Sequence, residues 1–226
     1  MGTITTGLAN NITTNGRVAA GGINNSSLSD ITSLPFSAGT LIPIKTVTAS
    51  SSASIEFING SGGVTLDSTY DRYFFTFNEI KPATDNVLFQ FQISTDGGSN
   101  YNINNTTGNI NCFHDEADTG TGGPANDTGN DTNNSTAFVN LAGYAAGQGN
   151  GADETCAGDL DIYSMGQTKM KQFTADTCSY SSNNYTINQR VAGFFDTGSA
   201  ANAIKFQMSS GNIASGSISI YGWKIS

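Results

Sequence analysis

Charge is scarce in this 226-residue chain: Asp, Glu, Lys and Arg together make up 12% of it, about half the share of an ordinary soluble domain. Its surface must therefore be polar mainly through hydroxyls and amides, and Ser, Thr, Asn and Gly crowd almost every segment. Such surfaces suit molecules displayed on particles, in fibres or outside cells rather than cytosolic enzymes. Basic residues are scarcer still. Nine Lys and Arg stand against 18 Asp and Glu, for a net charge of −9 and a pI near 4.3. That balance lacks the positive footprint needed for phosphate-backbone binding, so nucleic acid is excluded as a partner. No basic cluster is present to draw the chain to an anionic membrane. No apolar run approaches the roughly 20 residues needed to span a bilayer.

Residues 1–27 lack a charged start followed by an apolar core, so we expect no signal peptide and release from the host by lysis. Cysteine is limited to Cys112, Cys156 and Cys178, an odd number without CxxC spacing, which excludes a disulfide framework. We expect free thiols, with Cys156 and Cys178 as the pair that an oxidising medium would join. The one histidine, His114, leaves no material for a Ser-His-Asp arrangement elsewhere, and no Gly-x-Ser-x-Gly elbow lies near it.

What is present is strand pattern. Residues 1–35 are poor in apolar content and rich in Asn, Gly and Ser, and we read them as an extended N-terminal arm that anchors the chain or interlocks subunits. Residues 36–226 form the sandwich domain. From Leu41 onward short apolar runs alternate with turn chemistry, the pattern of sandwiches and barrels. We expect strands over 41–47, 53–58, 70–80, 87–93, 138–144, 158–163, 169–173, 191–195, 203–208 and 216–225. The 70–80 and 87–93 runs read as a hairpin, with 70–80 buried on both faces. In the last run Ile218, Ile220 and Gly222 face one way and Ser219, Tyr221 and Trp223 the other. Residues 115–136 read as one long surface loop. No window carries a long amphipathic helix, so the class is all-β: an antiparallel, jelly-roll-like β-sandwich.

Several groups are candidates for chemistry. Cys112-Phe-His-Asp-Glu-Ala-Asp118 invites a metal reading. Cys112 and His114 have no diagnostic zinc spacing, whereas Asp115, Glu116 and Asp118 border an oxygen-rich loop that calcium coordination tolerates; a solvated acidic turn is the competing explanation. Asp115, Glu116, Asp153 and Glu154 also raise a glycosidase reading, whose mechanism depends on a carboxylate separation that only folding sets. Ser94-Thr-Asp-Gly-Gly-Ser-Asn-Tyr101 looks like an Asp-box turn, a structural motif in which Asp96 accepts backbone hydrogen bonds and Tyr101 packs beneath. Tyr144, Tyr180 and Tyr185 sit in Ser- and Asn-rich surroundings and, with Trp223, are candidate glycan or partner contacts. We take Trp223 first as core filling; exposed, it would be a sugar platform or subunit contact.

Four stretches carry a resemblance: Lys45-Thr-Val-Thr-Ala-Ser-Ser-Ser-Ala-Ser-Ile-Glu-Phe57, Ser68-Thr-Tyr-Asp-Arg-Tyr-Phe-Phe-Thr-Phe-Asn-Glu-Ile-Lys-Pro-Ala-Thr84, Gln90-Phe-Gln-Ile-Ser-Thr-Asp-Gly-Gly98 and Met208-Ser-Ser-Gly-Asn-Ile-Ala-Ser-Gly-Ser-Ile-Ser-Ile-Tyr-Gly222. Together they resemble small β-sandwich structural proteins of tailed phages, especially marine ones, of the head-decoration and fibre-tip type. The resemblance implies a jelly-roll-like module on the virion surface, trimeric and without catalytic residues. Its partners would be copies of itself and virion proteins such as the major capsid protein or a tail adaptor. The shortness of the chain favours a capsid decoration or head-fibre protein. The alternatives are a tail-fibre protein that recognises a host surface glycan and, more remotely, a carbohydrate-active enzyme.

Overall fold

The structure, a computed structural model, describes residues 41–143 and 146–224; the arm expected over 1–35 lies outside them. Among the described residues twelve strands follow in order: β1 (Leu41–Thr48), β2 (Ile55–Ile58), β3 (Arg72–Pro82), β4 (Phe89–Ser94), β5 (Asn105–Asp115), β6 (Thr121–Asn126), β7 (Val139–Ala142), β8 (Cys156–Tyr163), β9 (Lys171–Tyr180), β10 (Tyr185–Phe195), β11 (Ala203–Met208) and β12 (Ile213–Trp223). They form an eight-stranded sheet, β1-β12-β3-β8-β9-β10-β5-β6, and a four-stranded sheet, β2-β11-β4-β7. All pairings are antiparallel. The two sheets pack as an all-β sandwich.

The pairing pattern is that of a long strip folded on itself. β1 pairs with β12, β2 with β11, β3 with β8 and β4 with β7. Successive pairs fall alternately into the two sheets, giving 1-12-3-8 facing 2-11-4-7, which is jelly-roll order. Two excursions interrupt the strip. The β5–β6 hairpin leaves between β4 and β7, the β9–β10 hairpin leaves between β8 and β11, and both extend the larger sheet past β8.

Alternation explains the core. On β3 Tyr73, Phe75 and Phe77 point inward and are buried, as are Phe89, Phe91 and Ile93 on β4 and Ile218 and Ile220 on β12. Phe206 of β11 sits at the centre of an aromatic cluster, 5.5 to 6.3 Å from the rings of Phe57, Phe75, Phe77, Phe89 and Phe91. Burial of β3 on both faces is corrected: Phe74 and Thr76 on its outer side are half-buried. The expected β3–β4 hairpin is corrected as well, because the two strands lie in opposite sheets and the intervening turn carries the chain across the sandwich. Alternation reports which face a side chain takes, not which strand it pairs with.

The long loop also resolves differently. Part of 115–136 is β6, paired with β5, and the remainder is tied to the edge of β5 by backbone bonds from Asp127 to Asn109, Thr107 to Thr132 and Asn105 to Ser135. β6 (Thr-Gly-Gly-Pro-Ala-Asn) has no buried side chain, so no apolar alternation marks it; as an edge strand it tolerates Pro124.

Candidate functional site on the outer face of the large sheet

The outward side chains of the eight-stranded sheet assemble into rows fixed by strand register. At one end Leu41, Trp223, Arg72 and Tyr163 stand side by side on β1, β12, β3 and β8. The next row runs Tyr221, Phe74, Asp161, Thr174, Ala192 and Gly108. Phe194 of β10 lies opposite Gln172 on one side and Thr106 on the other.

Arg72 organises the aromatic end. Its Nε and Nη2 donate to the two carboxylate oxygens of Asp161, a bidentate fork that fixes the guanidinium plane. The guanidinium carbon stands 4.7 Å from the centre of the Trp223 ring, 5.5 Å from Tyr163 and 6.0 Å from Phe74. The bond to Asp161 raises the Arg72 pKa. One row away the Asp159 carboxyl is pushed up, first by burial and then by the charges of Asp161 and Asp176.

Beside this cluster a shallow groove of about 640 Å³ crosses the sheet between Tyr163 and Phe194, over Thr174, Ala192 and Gly108. Tyr163 is 37% exposed. A Cβ at Gly108 would meet nothing within 4 Å, so the missing side chain keeps the groove floor open. Thr106, Gln172 and Thr174 supply hydroxyl and amide groups between the two rings. Flat aromatic faces flanked by uncharged hydrogen-bonding groups suit a hydroxyl-rich ligand of low charge.

The residues singled out from sequence are placed differently. Trp223 is not core filling: it is half-buried on the outer face, because inward positions of β12 fall on Ile218, Ile220 and Gly222. Tyr144 lies outside the described residues. Tyr180 and Tyr185 lie where β9 turns into β10, at the opposite end of the strands from Trp223. Tyr185 packs edge-on against Phe113 at 5.2 Å. The Tyr180 hydroxyl pKa is raised by burial, by its bond to Glu116, and by Asp153 and Glu154.

Asp115, Glu116 and Asp118 do not converge. Asp115 closes the β5–β6 turn, accepting from Thr119 N at 2.8 Å and Thr119 Oγ1 at 2.6 Å. Asp118 pairs with His114 Nε2 at 3.2 Å, and Glu116 meets Tyr180. Among the described residues no group of three or more His, Cys, Asp or Glu side chains is arranged to hold a metal. Glu154 folds back on Gly151 N of its own turn.

All three cysteines are free. Ala157 is the register partner of Cys178, so Cys156 points into the core and Cys178 outward, which separates the pair considered for a bridge. The Asp-box turn forms as expected. Asp96 accepts from Asn100 N at 2.9 Å, Ser94 Oγ at 2.6 Å and Asn100 Nδ2 at 2.7 Å, while Gly97 and Gly98 take φ of +72° and +84°. Tyr101 lies beneath Lys205 Nζ at 4.4 Å, its hydroxyl 3.2 Å from Glu56.

Arg72, Tyr163 and Phe194 were not singled out from sequence. The available signal was their place on the polar side of otherwise alternating strands, where a large aromatic side chain needs a reason. No protein family, curated protein or solved structure matches this chain.

Proposed function

We propose that this chain is a non-enzymatic structural module of a tailed-phage virion exterior, a capsid decoration or head-fibre protein that assembles as a trimer. The observation carrying the proposal is the jelly-roll strand order, 1-12-3-8 facing 2-11-4-7, which is the architecture implied by the phage-like stretches at 45–57, 68–84, 90–98 and 208–222. The hydroxyl- and amide-rich surface of low charge supports the same reading. Purified full-length protein is expected to bind intact capsids lacking it, seen by co-sedimentation and cryo-electron microscopy, and to run as a trimer in light scattering. Binding to host cells with no binding to capsids would overturn it.

The outer-face groove favours a second reading, a tail-fibre component that recognises a neutral host glycan. In that case Tyr163→Ala and Trp223→Ala abolish retention on host polysaccharide while circular dichroism stays unchanged. If both variants are retained like the wild type, the groove is not the contact.

A further inference from the structure

The inner face of the sheet extension is polar where a sandwich is ordinarily apolar. Asn105, Thr107, Asn109 and Asn111 of β5 all point inward and are buried, as is Gln189 of β10, the register partner of Asn111. Two of these are fully served. Asn105 Nδ2 donates to Ser135 O and Ala137 O, its Oδ1 accepts from Thr132 Oγ1, and Thr107 bonds the same threonine. The others are not: both polar atoms of Asn109, both of Gln189 and Nδ2 of Asn111 are buried without a hydrogen-bond partner. Buried amides are nearly always paired, so a cluster of unpaired ones in one place calls for an explanation such as a bound ion or water.

A carboxylate lies beside them. Asp127 N donates to Asn109 O at 2.8 Å, and Asn130 N closes a turn on Asp127 O at 3.2 Å. The carboxyl of Asp131 accepts from the Asn109 backbone N–H, yet its Oδ1 is buried and unpaired. Asp127, 7% exposed, is held by Asn130 Nδ2 at 2.6 Å, and Asn130 in turn by Asn140 of β7 at 2.8 Å. Two carboxylates thus share one turn, and among the described residues no Lys or Arg makes an ion pair with either.

We propose that the turn at residues 127–131 and the inward amides of Asn109 and Gln189 form a calcium-binding site. The donors are all hard oxygens, two carboxylates and two amide carbonyls, without sulfur or imidazole, which selects calcium over zinc or copper. Calcium accepts irregular shells of about six to eight oxygens, so water completes the set, and the Nδ2 and Nε2 groups are donors to water around the ion. The ion neutralises the Asp127–Asp131 repulsion and clamps the edge of the large sheet to β7 through Asn130 and Asn140. This site is separate from the acidic β5–β6 turn at Asp115, Glu116 and Asp118.

The test is calcium titration into chelator-stripped full-length protein, by calorimetry and thermal melting. One equivalent is expected to bind and to raise Tm. Asp131→Asn is expected to weaken binding by on the order of tenfold or more, since charge count sets calcium affinity, while Asp115→Asn binds as wild type. Asn109→Leu removes a ligand oxygen and every unpaired atom of that side chain without touching a carboxylate, so it carries the same expectation if Asp131→Asn does not fold. Absence of binding heat and of a Tm rise in the wild type overturns the proposal, as does unchanged affinity in both Asp131→Asn and Asn109→Leu. Loss of binding in Asp115→Asn alone would move the site to the other turn and overturn it equally.

Discussion

Asp96 shows how one side chain sets a local structure and a pH response. Its three hydrogen bonds favour the ionised form and lower its pKa from the ordinary 3.8 to about 2, with the Ser94 hydroxyl the largest cause and Asn100 next. Protons therefore bind the unfolded chain more tightly than the folded one. The stability from this turn is fully present above about pH 4 and is lost as pH falls toward 2. Asp96→Asn should lower the urea midpoint by a constant amount near neutrality, with the gap to wild type closing between pH 4 and 2. A gap that stays constant down to pH 2 would refute the assignment. The cysteines make a second residue-scale prediction. Cys178 is exposed, Cys112 half-buried and Cys156 buried, and burial pushes the Cys156 thiol far up. A thiol reagent should modify Cys178 first and Cys156 only on unfolding, and reducing agent should leave Tm unchanged.

At the scale of elements, legibility followed the inward residues. β3, β4, β11 and β12 place Phe, Tyr, Ile and Met at alternate positions, and period-two reading found them. β5 has the same alternation of burial, but its inward positions are Asn105, Thr107, Asn109 and Asn111; hydropathy reads such a strand as loop. β9 and β10 were found only at the ends that meet the core, through Phe173, Val191 and Phe195. Across the sheets, Thr177 of β9 donates from Oγ1 to Leu141 O of β7 at 2.6 Å, a polar tie inside the sandwich. Thr177→Val keeps the shape and leaves that carbonyl unserved, an expected loss of about 1–3 kcal/mol in chemical denaturation. Phe206→Ala removes the ring on which five others converge and should cost about 3–5 kcal/mol. A loss below about 1 kcal/mol would mean that the cluster closes around the gap.

For the whole molecule, the two sheets share one aromatic core: Phe206 and Phe91 come from the smaller sheet, Phe75, Phe77, Phe173 and Phe195 from the larger. Removing either sheet exposes the inner face of the other, so the sandwich should unfold as one unit. Fluorescence from Trp223, the only tryptophan, and far-UV circular dichroism should give coincident urea transitions. Separate transitions would show that the β9-β10-β5-β6 extension melts apart from the jelly roll. The cation–π stack on Arg72 gives that fluorescence a local reporter as well: Arg72→Met should shift Trp223 emission and, because it leaves the buried Asp161 carboxylate without its bidentate partner, should also lower the circular dichroism midpoint in urea.

Composition and period-two alternation by themselves determined that this chain is all-β, sparsely charged and built around apolar strands from Leu41 onward, because side-chain direction along a strand is a local property. The Asp-box turn was local in its organising bonds, since those of the Asp96 side chain stay within residues 94–100, while Gly97 N and the Tyr101 hydroxyl reach out to Asn202 and Glu56. Pairing was not local. Only the tertiary structure decided that β3 and β4 belong to opposite sheets, that β5 and β6 are strands, and that the strip closes in jelly-roll order, because partners are chosen by burial of whole faces rather than by neighbours in sequence. The sites were decided in the same way. Trp223, Phe74 and Tyr163 gather on Arg72 only through the registers of β12, β3 and β8, with Phe194 two strands further on, and Asp131 reaches Asn109 only through a turn folded back on a sheet edge. The candidates taken from sequence clustered along the chain; the groups that meet in space are drawn from residues up to about 150 positions apart, held together by long-range antiparallel pairing.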